Sequence, residues 1–366
     1  MKKILLLIIS SALLILNCSA QTWSPMGTNY AFNANSFTQF NEDLYVGFET
    51  FKDFHGVGKL EGNQWVNLGA GVPGVNPFVK TLGVYDGELY ISGEFTEVGG
   101  KKGIINLARW NGKEWRDVGG SFDHYLSMVH DFEVYKDELY ITGIFKNVGG
   151  KKIKSFAKWN GKTWLPVGVA LDGTFNDLIV YKDELYVAGI FKPGEEKVII
   201  NIAKYDGVKW STEGALANKK VQDKKVYVNS TPFDYFYDLI VYNDELYASG
   251  RFNDSKGEYS HCIQKWDGVA WVALPKQIDG SIAELAIYNG NLIAAGSFDK
   301  ADGKPAKNIA KWNGEEWSAC GAGTDNTIQQ MIVFNNEIIV SGLFEKAGGK
   351  EIKYMARYKE EIMDEE

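Results

Sequence analysis

The stretch WNGKTW at 159–164 places two tryptophans around an Asn-Gly pair, and its recurrence along the chain decides the fold. Close variants stand at 110–115, 205–210, 266–271 and 312–317. Asn-Gly and Asp-Gly pairs accept positive φ at both central positions of a two-residue type I′ turn, so each hexamer is predicted to form a tight antiparallel hairpin. One such hairpin is unstable alone, and its tryptophans must bury their faces against a neighbouring sheet. The repetition therefore predicts sheets that stack.

A second pattern, rich in tyrosine and ending near a glycine, occurs seven times, as in YKDELYITG. The glycines of successive copies are 46 residues apart at four of the six steps, with one step of 50 and one of 61. A period of roughly 40 to 50 residues with strand signals is typical of the blades of a β-propeller. The seven copies occupy residues 40–48, 85–93, 135–143, 181–189, 242–250, 288–296 and 334–342.

Each repeat is predicted to contain four antiparallel strands, which we name a to d from the centre of the propeller outwards. In the second repeat these strands are predicted at 79–85, 88–95, 106–110 and 114–119. Apolar residues occur on both faces of strands a and b, as expected for a sheet packed between two neighbouring sheets. Each repeat therefore predicts one blade.

The seventh repeat ends at 354–361 without a tryptophan-containing fourth strand. The segment TWSPMG at 22–27 resembles such a strand, so it is predicted to pair with the end of the chain and to complete the last blade. This pairing removes the open sheet edges that two free chain ends would leave. The sequence thus predicts an all-β fold, a seven-bladed β-propeller of four-stranded antiparallel blades whose ring is closed by the N-terminal strand.

Residues 1–20 have a basic start, a short apolar run and small residues near the end, which is typical of a bacterial-type secretion signal peptide. Cleavage after Ala20 is the preferred interpretation, and lipidation of Cys18 is the alternative. We therefore expect an exported protein, either secreted, periplasmic or at the cell surface. No other apolar run is long enough to cross a membrane, so no transmembrane segment is expected after signal removal.

The mature chain is predicted to form a single β-propeller domain over 21–361, with its seven repeats at about 35–361 and an acidic tail at 362–366. We expect this domain to be a monomer. Two cysteines remain in it, Cys262 and Cys320, and they either form a disulfide in an oxidising compartment or stay isolated as buried thiols.

Composition narrows the classes of partner. The chain carries 39 Lys and Arg against 47 Asp and Glu, which gives a net charge of −8. An acidic, exported protein is a poor candidate for nucleic-acid binding. No pattern indicates a metal or a cofactor, so none is expected, and the expected partner is a protein or a glycan, with an anionic one included.

Several short motifs carry a resemblance to a known family. They are the WNGxxW hairpins, SGEF at 92–95, VGGKK at 98–102 and 148–152, and AGGK at 347–350. Together they resemble the secreted bacterial Kelch-like or galactose-oxidase-like β-propeller repeat, which is related to the fungal cortical polarity-marker propellers. The resemblance covers most of 35–358 and implies a secreted or surface propeller, usually without an assigned reaction.

Blades four and five depart from the family pattern. KPGEEK at 192–197 and NDSKGE at 253–258 replace the Gly-Gly of the b–c loop, and no C-terminal sorting domain follows the propeller in this sequence. The resemblance therefore leaves retention at the cell surface open.

Because strands alternate in direction, the b–c and d–a connections are predicted on one face of the disc, which we call the long-loop face. The a–b and c–d turns are short and acidic and define the opposite, short-turn face. Lysines collect in the longer connections, and an anionic partner is one use for them. The alternative is that they are solvated and only blunt the loops. The candidate ligand-binding lysines are Lys101, Lys102, Lys151 and Lys152.

Strand a of every blade carries a polar residue four positions before its closing aromatic, and strand a lines the central channel. Four of these residues are acidic, so they are candidates to bind Ca²⁺, a basic ligand or a catalytic proton. Alternatively, each carboxylate accepts backbone N–H bonds or meets channel water. His130 precedes one of them and is predicted to project from the opposite side of its strand. The seven positions are Ser36, Thr81, Asp131, Asp177, Asp238, Glu284 and Gln330.

Local enzyme signatures are missing from the sequence, which has four scattered histidines and no HExxH, GxSxG or phosphate-binding glycine loop after a strand. The leading hypothesis is an exported, non-enzymatic binding module that docks a macromolecule or glycan on the long-loop face. The alternative is a carbohydrate-active hydrolase or lyase, because a pair of channel carboxylates would leave no local motif. The carboxylates concerned are Asp131, Asp177, Asp238 and Glu284.

Overall fold

The computed structural model describes residues 20–27, 32–73, 77–120, 122, 124, 126–168, 171–193, 200–212, 235–253 and 259–361. Within these residues the chain is all-β, with seven four-stranded sheets and three two-stranded ribbons. Among them, no helix has the length and hydrophobicity needed to cross a membrane. The predicted signal peptide up to residue 19, including Cys18, and the predicted tail at 362–366 lie outside the described residues.

The strands are numbered in chain order. The first eleven are β1 (Ala20–Pro25), β2 (Ala34–Phe40), β3 (Asp43–Phe48), β4 (Val57–Glu61), β5 (Gln64–Asn67), β6 (Phe78–Tyr85), β7 (Glu88–Glu94), β8 (Glu97–Val98), β9 (Lys101–Lys102), β10 (Leu107–Trp110) and β11 (Trp115–Arg116). The next twelve are β12 (Met128–Tyr135), β13 (Glu138–Ile144), β14 (Phe156–Trp159), β15 (Trp164–Pro166), β16 (Leu171–Tyr181), β17 (Glu184–Pro193), β18 (Ile200–Tyr205), β19 (Trp210–Ser211), β20 (Tyr235–Tyr242), β21 (Glu245–Asn253), β22 (Tyr259–Trp266) and β23 (Trp271–Ala273). The last eleven are β24 (Ser281–Tyr288), β25 (Asn291–Ser297), β26 (Lys300–Ala301), β27 (Lys304–Pro305), β28 (Ile309–Trp312), β29 (Trp317–Ala319), β30 (Ile328–Phe334), β31 (Glu337–Gly342), β32 (Lys346–Ala347), β33 (Lys350–Glu351) and β34 (Met355–Glu361).

Seven sheets form the blades of a ring. Blade 1 is β2-β3-β4-β5, blade 2 is β6-β7-β10-β11, and blades 3, 4 and 5 take the next twelve strands in order. Blade 6 is β24-β25-β28-β29 and blade 7 is β30-β31-β34-β1. The innermost strands contact one another in sequence, and β30 of blade 7 contacts β2 of blade 1. The predicted seven-bladed propeller is confirmed.

Strand β1 closes the ring as predicted. It pairs antiparallel with β34, with Trp23 opposite Tyr358 and Ser24 opposite Arg357. Trp23 is 3% exposed, and its indole N–H donates to the carbonyl of Cys320 in blade 6 at 3.2 Å. Cys320 is a buried free thiol, so it forms no disulfide with Cys262. The closing strand thus bonds to two blades at once.

The c–d hairpins differ from the predicted two-residue turns. Trp159 pairs with Trp164, so four residues form the turn, and positive φ falls on Gly161. The side-chain carbonyl of Asn160 accepts the backbone N–H groups of Lys162 at 3.0 Å and Thr163 at 2.9 Å. Asn or Asp is therefore needed as a side-chain acceptor in an Asx-turn, and the type I′ prediction for these hairpins was wrong.

Two consecutive positive φ angles occur instead in the a–b turns. In blade 3 they belong to Lys136 at 50° and Asp137 at 59°, and Tyr135 pairs directly with Glu138. These two-residue loops have the I′ signature that matches the twist of paired strands. The same signature recurs at Asp86–Gly87 in blade 2.

The second tryptophan of the c–d hairpin joins its blade to the preceding blade. The indole N–H of Trp164, which is 1% exposed, donates to the backbone carbonyl of Val118 at 2.7 Å. Within the described residues, four of the five hairpins therefore contribute both buried area and a directional bond at a blade junction, which explains why the hexamer is repeated. The same bond joins Trp115 to Leu68 at 3.3 Å, Trp210 to Val167 at 3.2 Å and Trp317 to Lys276 at 3.0 Å.

Candidate functional site: the polar mouth of the central channel

A β-bulge interrupts strand a of every blade at the same place. In blade 3, Val129 pairs with Gly143 and Asp131 pairs with Thr142, so His130 is an extra residue in β12. A Cβ atom on Gly143 would lie 2.0 Å from the carbonyl oxygen of Met128, so the glycine of the tyrosine-rich run lets the bulge form. The extra residues of the seven blades are Asn35, Lys80, His130, Asn176, Tyr237, Ala283 and Gln329.

In blades 1 to 6 the bulge residue and the residue after it both line a cavity of about 530 Å³ in the channel. His130 and Asp131 both line it, so the prediction that His130 projects from the opposite side of its strand was wrong. Strict alternation of side chains fails at a bulge because one strand carries an unpaired residue. All lining residues lie near the bulge, close to the end of strand a that follows the d–a connection, which places the cavity at the long-loop end of the channel.

The structure brings the four predicted carboxylates together around this cavity, along with Ser36, Thr81 and Gln330. The four carboxylates come from consecutive blades, 3 to 6, and are half-buried. Their binding of a ligand stays a prediction. The carboxylates are Asp131, Asp177, Asp238 and Glu284.

Three of these carboxylates also join neighbouring blades. Each aspartate accepts the backbone N–H of the leucine that follows the equivalent residue of the next blade. Such bonds favour a fixed side-chain position and use one carboxylate oxygen each. The bonds run from Leu178 to Asp131 at 2.8 Å, from Leu239 to Asp177 at 2.6 Å and from Leu285 to Asp238 at 2.6 Å.

The three aspartates are close enough to share protons. Burial raises the pKa of Asp131 to about 6 and that of Asp238 to about 7. Burial, and then the charges of Asp131 and Asp238, hold the pKa of Asp177 well above its usual range, and its carboxyl group hydrogen-bonds with both neighbours. Because neighbouring like charges disfavour joint ionisation, the central Asp177 holds its proton to higher pH than an exposed aspartate does.

Glu133 belongs to the same group of acids but was not predicted. It lies two residues after Asp131 on the same face of β12, and burial followed by the charge of Asp131 raises the pKa of Glu133 to about 8. The site therefore holds five carboxyl groups that retain protons at higher pH than exposed acids do.

Glu284 and Lys80 differ from the aspartates because, within the described residues, no backbone group of the next blade bonds to their side chains. Glu284 is one methylene longer than aspartate and hydrogen-bonds with the side chain of Gln330. Burial, and then the charge of Asp238, hold the pKa of Glu284 well above its usual range, while the charge of Lys80 acts in the opposite direction. Lys80 is exposed and forms no hydrogen bond or ion pair within the described part of the chain.

Aromatic and amide groups complete the lining. The Tyr235 and Tyr237 rings lie with their centroids 5.1 Å apart, and the Tyr235 hydroxyl donates to the side-chain carbonyl of Asn176 at 3.0 Å. His130 Nδ1 lies 2.9 Å from the carbonyl oxygen of Phe175, which can only accept, so Nδ1 carries the proton and Nε2 is left as an acceptor. Burial, and then the charge of Lys80, lower the pKa of His130.

The predicted ligand-binding lysines lie away from this cavity, and two of them have intramolecular partners. Lys101 Nζ is 2.8 Å from Glu114 Oε2 and donates to the carbonyl of Trp115 at 2.7 Å. Lys151 Nζ donates to Thr163 Oγ1 at 2.6 Å and to the carbonyl of Trp164 at 2.8 Å. Within the described residues, the exposed Lys102 and Lys152 form no such bonds. Ligand binding by these four lysines stays a prediction.

These lysine contacts also bear on the prediction that lysines collect on the long-loop face and acids on the short-turn face. Lys101 of the b–c ribbon β8-β9 pairs with Glu114 of a c–d turn, and Lys304 of the ribbon β26-β27 pairs with Glu316 at 2.9 Å. Lysines assigned to one face of the disc therefore meet acids assigned to the other. The two ribbons lie along the outer strands of their blades, where their lysines pair with glutamates of the c–d turns.

A second cavity of about 650 Å³ lies between blades 3 and 4 at the long-loop end. Its lining includes Leu126 and Ile144, which are 53% and 54% exposed. Exposed leucine and isoleucine side chains at a cavity rim are frequent features of surfaces that contact a macromolecule.

Sequence reasoning missed Lys80, Asn176 and Tyr237 as channel residues. A signal for them is present, because Phe175 and Leu178 are both buried although they are three residues apart. Two residues that share a face of a regular strand are separated by an even number of positions, so this odd spacing indicates a bulge. Among the described residues, no group of three His, Cys, Asp or Glu side chains converges in a way that could hold a metal ion.

No protein-family model matches the sequence, and no curated protein is significantly similar to it. The resemblance to Kelch-like repeats therefore stays a prediction. Among solved structures, the chain is similar to the computationally designed Ika8 protein, with a TM-score of 0.49 and 10% identity over 91% of this chain and 98% of that one. It is also similar to the WD40 β-propeller domain of Doa1, with a TM-score of 0.45 and 12% identity over 93% and 95%. Similarity of this degree assigns no function, and the propeller fold rests on the strand pairing of this chain.

Proposed function

We propose that the protein is an exported, non-enzymatic binding module that docks a glycan or a protein partner on its long-loop face, with the ligand reaching into the mouth of the channel. Propellers commonly serve as interaction modules, and a fold alone does not select a ligand. The single observation that carries the proposal is the 530 Å³ cavity with its mixed polar and aromatic lining.

The lining favours a glycan over an apolar ligand. Cavities of roughly 300 to 1,000 Å³ are typical of small-molecule sites. Here side chains with hydrogen-bond donors and acceptors line the cavity together with two tyrosines, a combination suited to hydroxyl groups on an otherwise apolar sugar ring. Leu126 and Ile144 on the same end of the disc would extend the contact for a larger partner.

Blocking the cavity tests the proposal. Ala283 lies on the bulge of blade 6 and lines the cavity with a small side chain, so Ala283→Phe would fill the space without removing a hydrogen bond. We expect the mature chain to bind members of an oligosaccharide array and the Ala283→Phe variant to lose that binding. The matched control is Val269→Phe, because Val269 is 82% exposed on a c–d turn. Binding that survives Ala283→Phe would place the ligand elsewhere.

The export proposal has its own test. The signal-like composition of residues 1–20 supports it. Expression of the full chain in a bacterium followed by cell fractionation should give a mature N-terminus at Gln21 outside the cytoplasm. An unprocessed Met1 terminus in the cytosol would contradict this part of the proposal.

A second candidate function is a carbohydrate-active hydrolase or lyase, and the raised pKa of Glu284 favours it. A carboxyl group whose pKa burial holds well above its usual range is suited to general-acid catalysis, and, within the described residues, Glu284 lacks the backbone bond that fixes each aspartate. This candidate predicts product release from a bound polysaccharide and its loss in Glu284→Gln, with binding retained. Binding without turnover for every ligand found would rule it out.

A further inference from the structure

Lys80 is a cation in the cavity without a bonded partner. Among the described residues that line the cavity, it is the one lysine or arginine, and it sits on the bulge of β6. Lys158, by contrast, has a bonded partner, because its Nζ lies 2.6 Å from Glu138 Oε2. A cation held in a cavity and left without a bonded counter-charge is suited to an anionic group on a ligand.

Among the described residues, no neighbouring acid forms an ion pair with Lys80, and the three aspartates are held by other bonds. Asp131, Asp177 and Asp238 accept backbone N–H groups and bond with one another. Glu284, which lies near enough to feel the charge of Lys80, keeps its proton to unusually high pH. A protonated carboxyl group donates a hydrogen bond, so Glu284 and Lys80 are two donors that line one cavity.

A carboxylate suits this donor pair better than other anions do. A carboxylate is a strong hydrogen-bond acceptor, and a proton shared between it and Glu284 would add to the charge-assisted bond from Lys80. The acids nearby disfavour a doubly charged group, such as a phosphate monoester, more than a singly charged carboxylate. Tyr235 and Tyr237 then lie in the same cavity for contact with a sugar ring.

We propose that the channel binds a carboxylated sugar, a uronic-acid unit of a glycan, whose carboxylate is held by Lys80 and Glu284 and whose ring contacts Tyr235 or Tyr237. This inference rests on the proposed function and names the class of glycan.

Isothermal titration calorimetry of the mature chain with linear oligomers of galacturonic, mannuronic and glucuronic acid tests the inference. The matched ligand is the methyl ester of each oligomer, which keeps the ring and removes the charge. We expect at least one free acid to bind about tenfold or more tightly than its ester. Lys80→Met should abolish that difference, Lys80→Arg should retain most of it, and the control Lys113→Met, at an exposed lysine of a c–d turn, should leave it unchanged. Melting curves establish that each variant is folded.

The outcomes separate this inference from the proposed function. If the esters or neutral oligosaccharides bind as tightly as the acids, the binding module stands but the carboxylate inference is wrong. Equal binding of a sulfated oligosaccharide would likewise overturn the carboxylate class. If the Lys80→Met variant still binds the acids more tightly than the esters, Lys80 does not hold the ligand's carboxylate. If no oligosaccharide binds at all, the glycan form of the proposed function fails together with the inference.

Discussion

At the scale of single residues, the proton held by Asp177 couples the stability of the ring to pH. Asp131, Asp177 and Asp238 have raised pKa values in the folded protein and ordinary ones near 4 when unfolded. Between pH 4 and 8 the folded state therefore binds more protons than the unfolded state, so the free energy of unfolding falls as pH rises. Each such proton lowers the free energy of unfolding by about 1.4 kcal/mol for every unit that pH rises, over the range in which only the folded state retains it.

Asp177→Asn should weaken this pH dependence, because an amide stays neutral and still accepts the N–H of Leu239. Urea unfolding at pH 5, 6, 7 and 8 should show a shallower fall in unfolding free energy for the variant, which should be more stable than the parent at pH 8. Glu315→Gln, which removes an exposed carboxylate of a c–d turn, is the control and should keep the parent's slope. A parent stability that is flat or rises over this range would contradict the proton sharing.

At the scale of structural elements, the two hairpins of a blade need different turn residues. The a–b turn of blade 4 has positive φ at Lys182 and Asp183, which cost a non-glycine residue about 1 kcal/mol each. Replacing the pair by Asn-Gly should raise the free energy of unfolding by about 1 kcal/mol. This net figure allows for the stabilisation that is lost when Lys182 no longer contacts the Tyr181 ring.

The c–d turn of the preceding blade supplies the contrast for this experiment. Asn160→Ala there should lower the free energy of unfolding by about 1 kcal/mol, because two backbone N–H groups lose their acceptor. Chemical denaturation of the two variants should therefore give shifts of opposite sign. A stabilising effect of Asn160→Ala would contradict the Asx-turn.

The same elements mark what could be predicted from the sequence. Blade number, strand order and ring closure were predictable because the aromatic and glycine positions repeat seven times, at 46 residues in four of six steps, and because Trp23 matches the tryptophan of a fourth strand. The channel lining was predictable at Asp131 and its equivalents, where alternation holds. The prediction of the channel lining failed at His130 and Lys80, because a bulge depends on how strand a pairs with the next strand. In the sequence, a bulge leaves only an odd spacing between buried residues.

At the scale of the whole molecule, the ring is held by bonds that repeat from blade to blade. The tyrosine that ends strand a donates to the a–b turn of the next blade, as Tyr135 does to the carbonyl of Asp183 at 2.8 Å. Phe40 and Phe334 occupy the equivalent positions in blades 1 and 7, so the two junctions of blade 1 lack this hydroxyl. The junction between blades 7 and 1 lies beside the chain ends, where closure depends on β1.

Trp23 is therefore expected to control how far the ring opens, and Cys320 reports on it. The Cys320 thiol is fully buried in the same cluster as Trp23, and burial raises its pKa to about 12, so it should resist thiol reagents in the closed ring. Trp23→Ala removes a buried indole, which typically costs about 3 to 5 kcal/mol, and loosens β1 from β34. The measurement is made in a Cys262→Ser background, so that Cys320 is the only thiol of the mature chain. The rate of Cys320 modification should rise at least tenfold in Trp23→Ala, because a decrease of about 1.4 kcal/mol in the free energy of local opening raises the open population tenfold.

A distant substitution of the same kind separates local opening from general loss of stability. Trp164→Ala removes an equally buried tryptophan from blade 3, far along the ring from the closing strand. If both variants lose similar stability but only Trp23→Ala exposes the thiol, the chain ends are the place where the propeller opens first. Equal modification rates in the two variants would mean that Cys320 becomes accessible only on global unfolding, and that strand β1 closes the ring no less firmly than any other blade junction.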